Sequence, residues 1–249
     1  MMHRYFMRLA DRDRSEEADT HLAYLLAFVA GGANAGGFMV VHQYTSHMSG
    51  IVSGMADSLV LGQIDIAVLG AGSLVAFVCG AATSAFAVNW ARRRGLRSVY
   101  ALPLAWEGIL LLLFSIISSQ AQQNTTHFTI QVILLLCYVM GLQNAVITKL
   151  SGARIRTTHV TGMVTDLGIE IGKLIYLNRD STSEVHPRVR ADRRKIRVLA
   201  QLIGQFFFGG LIGAWLFKTV GLPATLAFAL PLLGISASPL ICDIKNRSR

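Results

Sequence analysis

The sequence predicts an all-α integral membrane protein with six transmembrane helices and two re-entrant or broken helices, arranged as two inverted structural repeats. Three observations predict it: charge-free apolar stretches of spanning length, a motif pattern that occurs twice, and a one-sided distribution of Lys and Arg. Of the 249 residues, 53% are hydrophobic and 15% charged, where a soluble domain usually carries about a quarter charged residues. A span needs roughly 20 apolar residues to cross the hydrocarbon core. The stretches 21–41, 66–91, 101–119, 128–148, 198–217 and 222–241 qualify, with Glu107 interrupting the third and His21 at the mouth of the first. The net charge of +9 and pI near 9.9 follow from basic residues in loops, the positive-inside pattern, rather than from a nucleic-acid surface.

The first 20 residues mix charges of both signs and lack an apolar h-region, so they read as a cytoplasmic tail, with the first span as insertion signal. Residues 21–119 form the first membrane repeat. In it Gly31-x-x-Asn34-Ala35 closes a span, and Thr45-Ser46-His47-Met48-Ser49-Gly50-Ile51-Val52-Ser53 follows. A short external connection, 120–127, leads to the second repeat, 128–242. There Gly141-x-x-Asn144-Ala145 precedes Thr157-Thr158-His159-Val160-Thr161-Gly162-Met163-Val164-Thr165. Thr, His, Gly and Val recur identically in the two nine-residue blocks, and three further positions exchange only Ser for Thr. Residues 243–249 form a second cytoplasmic tail.

Segments 47–62 and 159–176 decide the topology. If both cross with the N-terminus inside, eight basic residues face out: Arg92, Arg93, Arg94, Arg97, Lys149, Arg154, Arg156 and Lys218. If both enter and leave on one side, only Lys218 of the 23 Lys and Arg faces out. The 22-to-1 bias favours the second arrangement. Three spans per half then turn the second repeat upside down relative to the first. Inverted repeats with an interrupted helix in each half are a recurrent plan of transporters, and irregular backbone at membrane depth belongs beside a polar cavity.

The candidate substrate-binding residues come from the paired motifs: Asn34, Thr45, Ser46, His47, Ser49 and Gly50 in the first half, and Asn144, Thr157, Thr158, His159, Thr161 and Gly162 in the second. Thr45/Ser46 and Thr157/Thr158 are of the types that cap helix N-termini. Two such termini meeting near the midplane would present N–H groups and positive dipole ends to an anion or a polar solute. The hydroxyls equally suit bonds to their own helix carbonyls. His47 and His159 could relay protons or bind substrate, or be structural. Glu107 and Asp166 are the carboxylates suited to proton coupling; Glu170 could neutralise Lys173. Without a supporting Cys or carboxylate set the two His predict no metal site, and no cofactor is expected. Cys79, Cys137 and Cys242 lack disulfide or metal spacing and read as packing residues.

Small residues four apart (Ala23, Ala27, Gly31, Ala35; Gly72, Ala76, Gly80, Ser84; Gly209, Gly213) permit close helix approach, within the chain or in a homodimer. Arg188–Arg197, in the basic cytoplasmic loop 177–197, suits an anionic inner leaflet. The expected partners are the lipid bilayer, a small-molecule solute and a second copy, with no nucleic acid.

The layout GGxNA, TSHMSG, GLQNA, TTHVTG resembles the YoaK-like family of bacterial multi-spanning inner-membrane proteins (domain of unknown function 1275), over roughly residues 20–242. The first block differs from the usual family form in carrying Ser49-Gly50-Ile51 where Thr-Gly-Asn is common. The resemblance implies a bacterial inner-membrane location; it supplies no substrate or reaction. The reading is a transporter or channel for a small polar or anionic solute, with its site between the repeats. The alternatives are an intramembrane enzyme using His47, His159 and a carboxylate, for which no HExxH, GxSxG or aspartate-pair signature exists, and a membrane scaffold or sensor subunit.

Overall fold

The computed structural model describes residues 16–120, 126–150, 160–177 and 188–247. Among these residues the chain forms eight α-helices and one short 3-10 helix, with no strand: α1 (Glu16–Val41), α2 (Met48–Val60), α3 (Ile64–Arg93), α4 (Ala101–Gln120), α5 (Thr126–Leu150), α6 (Val160–Ile175), α7 (Arg193–Val220), the 3-10 turn Leu222–Thr225, and α8 (Leu226–Arg247). Five are long and apolar enough to cross a membrane, over Ala18–Val41, Ile64–Arg93, Thr126–Lys149, Arg193–Val220 and Leu222–Asn246. The chain is a multi-pass helical membrane protein. The predicted span at 101–119 falls in α4, described side chain by side chain over Ala101–Ile116, so five full-length spans are counted among the described residues where the sequence predicts six.

Close contacts fix the helix directions. A Cβ on Gly31 would lie 2.0 Å from the Phe206 carbonyl oxygen, and one on Gly209 2.0 Å from that of Phe28. Farther along, Gly36 abuts the Phe217 ring, and near the helix starts Tyr24 Oη donates to Gln201 Oε1. Residue numbers rise together, so α1 and α7 run parallel. The same arrangement joins α3 to α5. A Cβ on Gly141 would lie 2.0 Å from the Phe77 carbonyl oxygen and one on Gly80 1.9 Å from that of Tyr138, while Lys149 Nζ donates to Asn89 Oδ1 at 3.0 Å. These backbones touch because glycine leaves nothing between them.

Antiparallel contacts join the two pairs. Gln143 Nε2, near the end of α5, donates to the Leu26 carbonyl, early in α1, at 3.3 Å. Tyr100, just before α4, reaches the Lys149 carbonyl at 3.5 Å. Asp243, late in α8, accepts from the N–H groups of Arg97 (3.1 Å) and Ser98 (2.8 Å). One end of the bundle therefore gathers the starts of α1, α4 and α7 and the ends of α3, α5 and α8. Arg92–Arg94, Arg97, Lys149, Arg193–Lys195, Arg197 and Lys245 lie there, whereas Lys218 lies toward the other end of α7.

The short helices follow from this frame. α1 finishes and α3 starts at the Lys218 end, so α2 between them returns to the end it came from. α5 finishes and α7 starts at the basic end, so α6 does likewise there. Neither is long enough to traverse the bundle: 13 and 16 residues rise about 20 and 24 Å against a hydrocarbon core of about 30 Å. The core is filled by Leu22, Leu26, Leu104, Leu111, Met140, Leu142, Leu202 and Phe228, all buried. Val68, Val75, Phe86, Phe207, Phe208 and Trp215 point outward from α3 and α7, as lipid-facing side chains do.

Candidate functional site

α1 ends where His42 takes a positive φ of 53°, and its N–H still bonds back to the Phe38 carbonyl at 2.9 Å. That left-handed residue turns the chain back toward the bundle, as an αL residue after a helix does. Ser46 then lies beside Asn34, about 10 Å back along α1 from Val41. Its N–H and its hydroxyl both donate to Asn34 Oδ1, at 3.2 and 2.9 Å. α2 thus starts part-way down the bundle.

The N-terminus of α2 corrects one expectation. Thr45 and Ser46 do not cap it: the N-cap is His47, and no side chain bonds the first turn. Ser46 Oγ is committed to Asn34, and buried Thr45 Oγ1 has no hydrogen-bond partner. The His47 ring folds over the first turn, so that a Cβ on Gly50 would lie 2.2 Å from its Cδ2. His47 and Gly50 line a cleft of about 330 Å³, together with Phe38, His42, Gln43, Tyr44, Met55, Ser58, Leu69 and Gly70. Phe38 and Tyr44 stack, with centroids 4.5 Å apart. All its walls belong to residues 38–70, so it sits within the first half rather than between the halves. Ser49 is exposed and does not line it.

In the second half, Thr157, Thr158 and His159 lie outside the described residues. Thr161 is exposed, and Gly162 faces open space. Asn144 is buried to the same degree as Asn34, 7% against 8% exposed; its amide donates to the Met140 carbonyl of its own helix at 2.9 Å. Asn144 lines a second cleft of about 290 Å³ with Gly141, Ala145, Thr148 and Lys149 of α5 and Phe77 and Ala81 of α3. That cleft draws on both halves and lies toward the basic end, opposite the first.

The two carboxylates suited to proton coupling part company. Asp166 is half-exposed and 3.6 Å from Lys195, an ion pair at the α6–α7 contact. Glu170 joins it: Lys173 Nζ donates to Glu170 Oε1 at 2.8 Å and the Asp192 N–H to Oε2 at 2.9 Å, with Lys195 3.8 Å away. The Lys173 hydrogen bond, then that of Asp192, holds the Glu170 carboxyl below its usual range. Glu107 is fully buried, and neither oxygen has a hydrogen-bond partner.

Sequence reasoning missed two features. The aromatic wall of the first cleft, Phe38, His42 and Tyr44, was signalled by a polar-aromatic run (His42-Gln43-Tyr44) directly after an apolar span. Gln143, fully buried with Oε1 unbonded, was signalled by an amide inside the Gly141–Ala145 motif.

A family model described as "Protein of unknown function (DUF1275)" matches residues 22–238. No curated protein and no solved structure matches the chain.

Proposed function

The chain belongs to the DUF1275 family, and we propose that it carries a small polar or anionic solute across the membrane, between two inverted repeats of three spans and one re-entrant helix each. The observation that carries this reading is the return of the chain at Ser46 onto Asn34. It sets the start of α2 part-way down the bundle, with the exposed His47 ring in the wall of a cleft that mixes apolar side chains with His42, Gln43 and Ser58. Irregular backbone at that depth is tolerated where it lines a cavity.

Three further features support it. The reciprocal glycine contacts, Gly31 with Phe206 and Gly209 with Phe28, recur as Gly141 with Phe77 and Gly80 with Tyr138. The first helix of each half thus packs on the third helix of the other, as two repeats related by a pseudo-twofold axis would. α4, at 20 residues, rises about 30 Å and suffices as the sixth span. The two clefts lie toward opposite ends, one lined by His42, Gln43, Tyr44, His47 and Ser58, the other by Asn144, Thr148 and Lys149. No acidic side chain lines either, and no side chain caps α2; a neutral polar or anionic solute fits these walls better than a cation. The positive-inside rule supports a cytoplasmic basic end, with both tails inside, in a bacterial inner-membrane protein.

The test is uptake. A strain lacking the protein is screened against small polar and anionic metabolites, and the responding solute is then measured in reconstituted vesicles with wild type, His47→Ala and His159→Ala. Loss of uptake in the deletion strain and slower vesicle transport in both variants, at unchanged folded yield, is expected. No solute responding, or full transport by both variants, would overturn the reading.

A further inference from the structure

The four residues that open α4, Ala101-Leu102-Pro103-Leu104, recur early in α8 as Ala229-Leu230-Pro231-Leu232. The burial matches as well: Ala101, Leu104, Ala229 and Leu232 are all at 0% exposure. In this register Glu107 corresponds to Ile235, which is also buried, at 4%. Likewise Gln143 of Gly141–Ala145 corresponds to Ala33 of Gly31–Ala35, buried at 3%. Each half thus holds an apolar residue where the other holds a polar one. Packing alone is served by Ile and Ala at these positions, so the carboxyl and the amide are not required to fill the space.

The two polar residues lie at one level. α4 and α5 are antiparallel, held at one end by Tyr100 and the Lys149 carbonyl and farther in by Trp106 Nε1 donating to Tyr138 Oη at 3.2 Å. Glu107 stands seven residues beyond Tyr100, and Gln143 six before Lys149, each about 10 Å from the basic end. Both Glu107 oxygens and Gln143 Oε1 lack hydrogen-bond partners. The ionisable groups facing α4 from its neighbours are otherwise engaged. Tyr138 Oη donates to Thr83 at 2.9 Å, Lys149 to Asn89, Arg92 to Tyr100 Oη, and Asp243 accepts from Arg97 and Ser98; Cys137 of α5 lies on the side of α2 and α3. An ionised carboxylate without any partner in an apolar core is far costlier than a neutral carboxyl. A neutral carboxyl has a hydrogen to give, and an unbonded amide oxygen at its level can accept it.

We propose that Glu107 is a proton-binding site in the core of the bundle, with Gln143 Oε1 as the acceptor for the bound proton. The site goes beyond the transport reading and does not require it. The test is infrared spectroscopy of purified protein in liposomes at neutral pH, comparing wild type with Glu107→Gln and Glu107→Ile; the second variant copies the residue of the other half and keeps the comparison interpretable if the first folds poorly. A protonated-carboxyl band present in wild type and lost in the variants is expected, with a shift of that band in Gln143→Leu. No band lost in either variant would overturn the site, and a band unmoved in Gln143→Leu would overturn the acceptor.

Discussion

Asn34 Oδ1 receives two hydrogen bonds from Ser46, one from its N–H at 3.2 Å and one from its hydroxyl at 2.9 Å. A single amide in α1 thereby anchors the segment that carries the chain back into the bundle. Thr45, the residue before Ser46, is more deeply buried but makes no hydrogen bond through Oγ1. Adjacent residues thus have opposite polar balances.

Opposite responses should follow. Asn34→Ala removes the acceptor and leaves the Ser46 N–H without its partner, a loss of about 1–3 kcal/mol for a buried group. Thr45→Val removes an unbonded hydroxyl and keeps the shape, so it should be neutral or stabilising. Thermal unfolding midpoints in one detergent check both. Equal loss in the two variants would mean that the Ser46 bonds do not hold the segment.

How much of this was legible depends on the kind of signal. The short helices were visible: segments 47–62 and 159–176 became Met48–Val60 and Val160–Ile175, because the Thr/His/Gly blocks break apolar runs that otherwise continue. The segregation of Lys and Arg was visible because lipid excludes charge from the spans. The cap of α2 was not, since Ser46 is a good cap by type and only the approach of Asn34, twelve residues earlier, diverts its hydroxyl. The location of the first cleft was not legible either. Asn34 and His47 are matched in sequence to Asn144 and His159, yet the aromatic residues 38–44 that wall the cleft have no counterpart in those motifs. Glu107 stood out as a lone charge, but its lack of partners is a tertiary fact.

The glycine contacts sort substitutions sharply. At Gly31, Gly80, Gly141 and Gly209 a new Cβ would sit 1.9–2.0 Å from a carbonyl oxygen of the facing backbone, which cannot yield without moving a helix. Alanine at any of the four should lower the unfolding midpoint markedly. Gly168 and Gly204, also within helices, face open space, and alanine there should be neutral or stabilising by about 0.5–1 kcal/mol. Tolerance of alanine at the first four would break the assignment of α1 to α7 and α3 to α5 as touching pairs.

Topology can be checked independently in a background lacking Cys79, Cys137 and Cys242. Single cysteines at Arg93 and Arg190 should react with an impermeant reagent only from the cytoplasmic face, and one at Gln63, in the α2–α3 turn, only from the opposite face. Labelling of 93 and 190 from different faces would require α6 to cross the membrane and would end the inverted arrangement.

The docking of α6 on α7 should depend on pH in one direction. Glu170 is 3% exposed and takes hydrogen bonds from Lys173 and the Asp192 N–H, which lower its proton affinity on folding. A carboxyl with a lowered folded-state pKa contributes stability that is complete above the ordinary glutamate value and is lost as pH falls through the lowered one. Glu170→Gln keeps the shape but cannot ionise. The wild type should therefore unfold at a higher temperature than Glu170→Gln at neutral pH, with the gap closing on acidification below the glutamate range. Midpoints measured across that range for both proteins decide it. Two curves that stay parallel to low pH would mean that the Glu170 charge plays no part in holding α6, and that Met163, the other buried residue of α6, anchors it by packing.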